Sequence, residues 1–268
     1  MDTILKGENL SVSYDKTLVI PLMSVEIPRG EITSVIGPNG CGKSTLLKAL
    51  ARILPCKEGG VYLDGQAIAR MPAREVARKM SILPQSPQAP QGLAVEELVA
   101  YGRYPHQKGL GRLSEKDREK IHWALEITHM ERLAKRDLEA LSGGQRQRAW
   151  IAMALAQDTP LILLDEPTTY LDMAHQLEVL ELLKKLNEEQ GKTIALVIHD
   201  LNLAARFSHK MIAMKEGKIF CQGTAEQVMS PEVLRQVFSL EACIEKDPWS
   251  GRPVCVSYRK AKEDMEQK

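Results

Sequence analysis

Residues 37–45 read Gly37-Pro38-Asn39-Gly40-Cys41-Gly42-Lys43-Ser44-Thr45, directly after the strand-like run Glu31-Ile32-Thr33-Ser34-Val35-Ile36. The stretch satisfies G-x-x-x-x-G-K-[ST], the pattern of a phosphate-binding loop between a strand and a helix. Its glycines let backbone N–H groups curl around phosphate oxygens, where side chains would collide. A helix starting near Lys43 points the positive end of its dipole at the same anion. In this arrangement Lys43 reaches the β- and γ-phosphates of a nucleotide, and the Ser44 hydroxyl suits Mg²⁺.

Working outward, the first 36 residues alternate apolar and polar and are rich in β-branched side chains. They read as strands, with a turn at Pro28-Arg29-Gly30 and a further strand over 59–68. From about 93 to 157 the texture turns helical, with Ser114 and Asp117 marking one helix start and Ile151, Ala154 and Leu155 sharing a face. Then short apolar runs alternate with a helix: 161–164, an amphipathic helix over 173–190 stopping at Gly191, and 193–198. A hairpin follows over 211–223, turning at Glu216-Gly217. Short apolar strands between helices imply a parallel sheet covered on both faces. The expected architecture is therefore α/β, with an antiparallel β lobe at the front and an inserted helical block. The charged stretch 258–268 reads as a solvated end.

The chain has 268 residues, enough for one large domain or two small ones. Hydrophobic residues make up 44% and charged residues 26%, which argues against disorder. The 36 Lys and Arg nearly cancel the 35 Asp and Glu, so no basic excess suggests a nucleic-acid partner. The 5 cysteines are scattered and form no C-x-x-C pair, which fits a reducing compartment better than a disulfide or zinc scaffold. No signal peptide is legible at the N-terminus. No apolar run is long enough to span a bilayer, so any membrane role is expected to come through a partner.

Two further motifs carry chemistry. Asp165-Glu166 directly follows the apolar run Leu161–Leu164, and acids at a strand's carboxyl end project into the ligand crevice. Asp165 is placed to hold Mg²⁺ through water, and Glu166 to polarise a water attacking the γ-phosphate. Taken alone, the two acids could equally cap the next helix. The pentapeptide Leu141-Ser142-Gly143-Gly144-Gln145 opens another helix, and Ser142 is a good N-cap.

Together, the phosphate loop, the Leu141–Gln145 signature and the Asp165-Glu166 pair resemble, in order and approximate spacing, the ATP-binding subunit of an ABC transporter. The resemblance spans nearly the whole chain. It implies a P-loop NTPase (RecA-like) core with an antiparallel β lobe over about 1–88 and 158–245. A helical subdomain over about 89–157 and a tail over about 246–268 complete a single ABC domain. ATP and Mg²⁺ are the implied cofactors. Tyr14 matches the aromatic that stacks on adenine, and Gln85 the glutamine that senses Mg²⁺ and the attacking water. Asp172 matches an aspartate that contacts the opposite subunit, and His199 a histidine that hydrogen-bonds the γ-phosphate. Glu166, His199 and Gln85 are thus the implied catalytic residues, and Ser44, Gln85 and Asp165 the metal-facing ones. His106, His122, His129, His175 and His209 match nothing and read as structural or surface residues.

The family pairs two subunits head-to-tail, so Ser142, Gly143, Gly144 and Gln145 of one would face the nucleotide of the other. The implied partners are a second copy, an integral membrane permease and, indirectly, a substrate-binding protein, at the cytoplasmic face of the membrane. Segment 86–113 would form the permease groove, with Leu98 and Arg103 expected on its surface. Segments such as Glu96–His106, Asp165–Leu183 and Asp247–Cys255 resemble the importers of ferric siderophores; cobalamin and haem importers are similar. A soluble ABC-type ATPase with an assembly or regulatory role is the rival of another class. A P-loop kinase has no use for Leu141–Gln145. Asp15 and Pro21 depart from the family pattern and put the local loop shape in question.

Overall fold

The computed structural model describes residues 2–107 and 112–261. Residues 108–111 of the expected groove and 262–268 of the expected tail lie outside the described residues.

The alternating N-terminal pattern folds as β1 (Thr3–Tyr14) and β2 (Thr17–Pro28), an antiparallel hairpin turning at Asp15, whose φ of 49° is left-handed. Pro21 falls where the register slips between the Val12–Ile20 and Leu10–Met23 pairs, a place that tolerates a missing N–H. Next come β3 (Ile32–Ile36), α1 (Lys43–Leu50), β4 (Glu58–Leu63) and β5 (Gln66–Ala67), the last two joined at Asp64-Gly65. A short α2 (Ala73–Lys79) leads into β6 (Met80–Leu83).

The helical block holds α3 (Val95–Tyr101), α4 (Glu115–Ile127) and α5 (Gly143–Ala156). Reciprocal capping boxes open α4 at Ser114 and α5 at Ser142. The chain returns as β7 (Leu161–Asp165), α6 (Met173–Gln190), β8 (Thr193–Val197) and α7 (Leu201–Phe207). Gly191 ends α6 in the left-handed conformation, with a φ of 63°. The predicted hairpin is β9 (Lys210–Lys215) and β10 (Lys218–Gly223), turning through Glu216 and Gly217, both with positive φ. The chain closes with α8 (Ala225–Val228), α9 (Pro231–Phe238), β11 (Leu240–Lys246) and β12 (Pro253–Lys260).

The described strands form three sheets, ordered β2-β1-β4-β5, β10-β9-β3-β8-β7-β6 and β11-β12. In the second, β6, β7, β8, β3 and β9 run parallel. Side chains alternate between two cores. Leu161, Leu163, Ala195 and Val197 pack with α1 and the N-terminal lobe, while Ile162, Leu164, Ile194 and Leu196 pack with the helical block. Burial on both faces explains the uninterrupted apolar runs.

The structure refines one expectation and corrects another. Tyr258–Lys260 are solvated as expected but are not a loose end; they pair as a strand with Leu240–Ala242, and Arg259 Nε meets Glu241 Oε2 at 2.5 Å. Leu98 and Arg103 are not surface residues of a groove; they are 1% and 3% exposed. Arg103 Nε donates to Asp117 Oδ1 at 2.9 Å, and its Nη1 donates to Ala156 O at 2.6 Å. It ties the end of α3 to α4 and α5, inside the block. Arg103→Met would leave the Asp117 carboxylate buried without its partner, which is expected to cost about 3 kcal/mol. A thermal unfolding midpoint equal to that of the wild type would refute this bracing role.

Candidate active site

Parallel strands deliver their carboxyl ends to one edge of the sheet, where ligands bind in this class of fold. β3 feeds Gly37–Gly42, β7 ends on Asp165, and β8 ends just before His199. Residues 37–42 then turn sharply into α1, and three glycines make this possible. Gly37, Gly40 and Gly42 have φ of 152°, 76° and 103°. A Cβ on Gly37 would lie 2.3 Å from Met214 O, so no side chain fits there.

The resulting cavity of about 640 Å³ is lined by Asn39, Gly40, Gly42, Lys43, Ser44, Thr45, Gln85, Glu166, Thr169, His199 and Val19. Lys43 is buried, and its ammonium donates to Gly37 O and Pro38 O, both at 2.9 Å. The cation is therefore held within the loop by neutral carbonyls and makes no ion pair among the described residues, the Asp165 charge reaching it only at longer range. Pro38 and Cys41 shape the loop rather than line the cavity. Burial pushes the Cys41 thiol up, against the nearby Lys43 charge, so this cysteine is a packing residue and not a nucleophile.

The loop leans on the β9–β10 turn. Gly217 N donates to Cys41 O at 3.0 Å, and a Cβ on Gly217 would lie 2.0 Å from Val19 O. Gly217→Ala must move the turn or the loop, at a strain of about 1–3 kcal/mol. The expected readout is roughly tenfold weaker ATP binding by calorimetry. Undiminished affinity would show that the turn does not support the loop.

Ser44 Oγ donates to Asp165 Oδ1 at 2.8 Å. Asp165 Oδ2 is buried with no hydrogen-bond partner among the described residues. Burial pushes the Asp165 carboxyl up, the charge on Glu166 adds to this, and the Ser44 hydroxyl opposes it. An orphaned carboxylate oxygen beside a hydroxyl, with the Gln85 amide on the same cavity wall, is an all-oxygen set of the kind Mg²⁺ takes.

Glu166 is 7% exposed and left-handed, with a φ of 54°. Its N–H donates to Val197 O, which fixes its backbone to the end of β8. Its Oε1 lies 2.7 Å from His199 Nε2. The acid and the histidine predicted separately from sequence thus form one pair.

The remaining expected residues lie elsewhere. Tyr14, at the tip of the β1–β2 hairpin, is not part of the cavity wall; Val19 from the same hairpin stands there instead. Ser142, Gly143, Gly144 and Gln145 open α5 and do not line this cavity. Asp172 caps α6, and hydrogen bonds from His175 hold its carboxyl below the usual range. The exposed Tyr170 packs beside Gly143, so the signature and the residues before Asp172 form one continuous outer surface. Of the histidines left unassigned, His209 accepts from Ile32 N at 3.0 Å and braces the start of β3.

Sequence reasoning missed Val19 and Thr169. Thr169 stands three residues after Glu166, a spacing that a turn could have suggested. Nothing local marks Val19, which a hairpin brings in from another sheet.

A family model described as ABC transporter matches residues 21–169, more than half of the chain. The chain belongs to the ABC transporter family. As an ABC cassette it is an ATPase whose hydrolysis powers transport, and such cassettes work as dimers with a membrane permease. It is 57% identical over 262 residues to the iron(3+)-hydroxamate import ATP-binding protein of Bacillus subtilis, covering 98% of this chain and 97% of that one. It is 47% identical over 252 residues to the ferric enterobactin transport ATP-binding protein of Escherichia coli, covering 94% and 93%. Among solved structures, the dimeric bacterial ABC cassette MJ0796 is similar with a TM-score of 0.75 and 32% identity, over 82% of this chain and 98% of that one.

Proposed function

We propose that this ABC cassette powers uptake of a ferric siderophore through a separate membrane permease. The carrying observation is the near full-length identity to two ATP-binding proteins of iron-chelate import, one for a hydroxamate and one for enterobactin. No helix among the described residues is long and apolar enough to cross a membrane. The reading places the cassette at the cytoplasmic face, held there by its permease. A substrate-binding protein would act upstream of that permease.

The geometry supports the following mechanism. The backbone amides of 37–45 and the Lys43 ammonium receive the ATP phosphates. Ser44, Asp165 and Gln85 are the residues that would hold Mg²⁺, which would supply charge neutralisation to the ATP phosphates when bound. Glu166 accepts a hydrogen bond from the attacking water, and His199, which meets that carboxylate in the nucleotide-free cavity, hydrogen-bonds the γ-phosphate once ATP is bound. Val19 walls the nucleoside side; Tyr14 stacks on adenine by resemblance, from the strand tip next to it.

One chain offers only half a closed site, because Ser142–Gln145 lie outside its own cavity. In a homodimer they face the partner's γ-phosphate, where the N-terminus of α5 favours an anion. Asp172 meets the same interface. The permease surface is carried by the exposed Tyr101 and Tyr104, which replace Leu98 and Arg103 in that role.

The test is reconstitution of the cassette with its permease in lipid vesicles. ATP-driven entry of a ferric siderophore is the expected result. Entry of cobalamin or haem instead would overturn the substrate class. Failure to associate with any polytopic membrane protein would favour the soluble assembly ATPase.

A further inference from the structure

Both oxygens of the Glu166 carboxylate have a partner. His199 Nε2 lies 2.7 Å from Oε1, and Thr169 Oγ1 donates to Oε2 at 3.2 Å. The two partners differ in kind. His199 is exposed along nearly half of its side chain, whereas Thr169 sits on the same tight turn as Glu166, with Thr169 N donating to Glu166 O at 3.3 Å. That turn is braced from two helices. Gln147 of α5, buried, donates to Pro167 O at 3.0 Å, and Gln176 of α6 donates to Leu171 O at 3.0 Å. The Thr169 hydroxyl therefore has a fixed origin.

We propose that Thr169 is a positioning residue that sets the orientation of the Glu166 carboxylate for water polarisation. The inference rests on the reading of Glu166 as the group that polarises the attacking water. A carboxylate oxygen accepts more than one hydrogen bond, so a hydroxyl on Oε2 leaves lone pairs open toward the cavity. With donors on both oxygens, the carboxylate plane cannot rotate about its last bond. Without Thr169, only His199 holds it, and a histidine engaged by the γ-phosphate is not free to hold the acid as well. Thr169 acts through Glu166. It also directly precedes Tyr170, which is 77% exposed and left-handed at a φ of 68°. The same hydroxyl thus links the carboxylate to the outer surface that runs on to Asp172.

The test uses the full chain in its permease complex at saturating ATP and Mg²⁺. Thr169→Val keeps the shape and removes the hydroxyl; kcat is expected to fall about 10- to 100-fold, the effect of losing one hydrogen bond to a charged group. KM for ATP and the thermal midpoint stay unchanged, and Thr169→Ser restores most of the rate. In a Glu166→Gln background, Thr169→Val causes no further fall. A wild-type kcat in Thr169→Val, a change confined to KM, no rescue by serine, or a further fall in the double variant would each overturn the proposal. Failure of the underlying reading looks different: Glu166→Gln would itself hydrolyse ATP at the wild-type rate.

Discussion

Glu166→Gln should convert the cassette into a stable ATP-bound dimer. The substitution keeps the side chain's size and removes its charge. Lys43, Ser44 and Asp165 are untouched, so ATP still enters the cavity. The attacking water loses the carboxylate that polarises it, and hydrolysis is expected to fall about 10²-fold or more. With the γ-phosphate retained, the loop of one subunit and Ser142 of the other stay bridged. Light scattering or size-exclusion chromatography reads the result, with dimer expected in ATP and monomer in ADP. A variant that hydrolyses normally removes Glu166 from its role. One that is inactive yet monomeric in saturating ATP argues against the shared site.

Lys43→Ala should fail earlier, at the nucleotide itself. The Lys43 ammonium is held by two loop carbonyls. Nearby, Asp165 and Glu166 oppose any incoming phosphate charge. Removing the one buried cation among the residues lining the cavity leaves these acids facing the anion. Turnover is expected to drop about 10²- to 10³-fold, the scale for losing a preorganised charge-stabilising donor. ATP affinity falls with it, whereas Glu166→Gln retains affinity. The two variants therefore separate binding from chemistry in one calorimetric and one turnover experiment. Wild-type turnover in Lys43→Ala would remove the loop from the reaction altogether.

Much of this was legible because it is local. The loop from Gly37 to Thr45 needs only neighbouring residues to declare itself, and Gly191 and Glu216-Gly217 mark their turns through backbone freedom alone. What escaped depends on distant partners. Arg103 reads as a surface cation until Asp117, on another helix, is known to face it. The last three residues of β12, Tyr258–Lys260, read as part of a charged end because strand pairing is made by backbone groups that hydropathy does not register. The seven-residue α2 buries only Val76, too little for a helical period to show. Within the site, Glu166 and His199 were found one at a time, but the 2.7 Å contact between them was not, since 32 residues of chain separate the two.

The placement of β3 between β8 and β9 governs the birth of the protein as well as its chemistry. The strand that carries the loop is made early, yet neither of its neighbours exists until the chain has passed Thr193 and Lys210. The loop's contact with Met214 and its bond from Gly217 come later still. Pairings this remote in sequence form slowly and only after long stretches of chain have been ordered. An unfinished chain on the ribosome therefore has no cradle to close on ATP. Synthesis thus delays the ability to capture fuel until the helices of the inserted block have already been made.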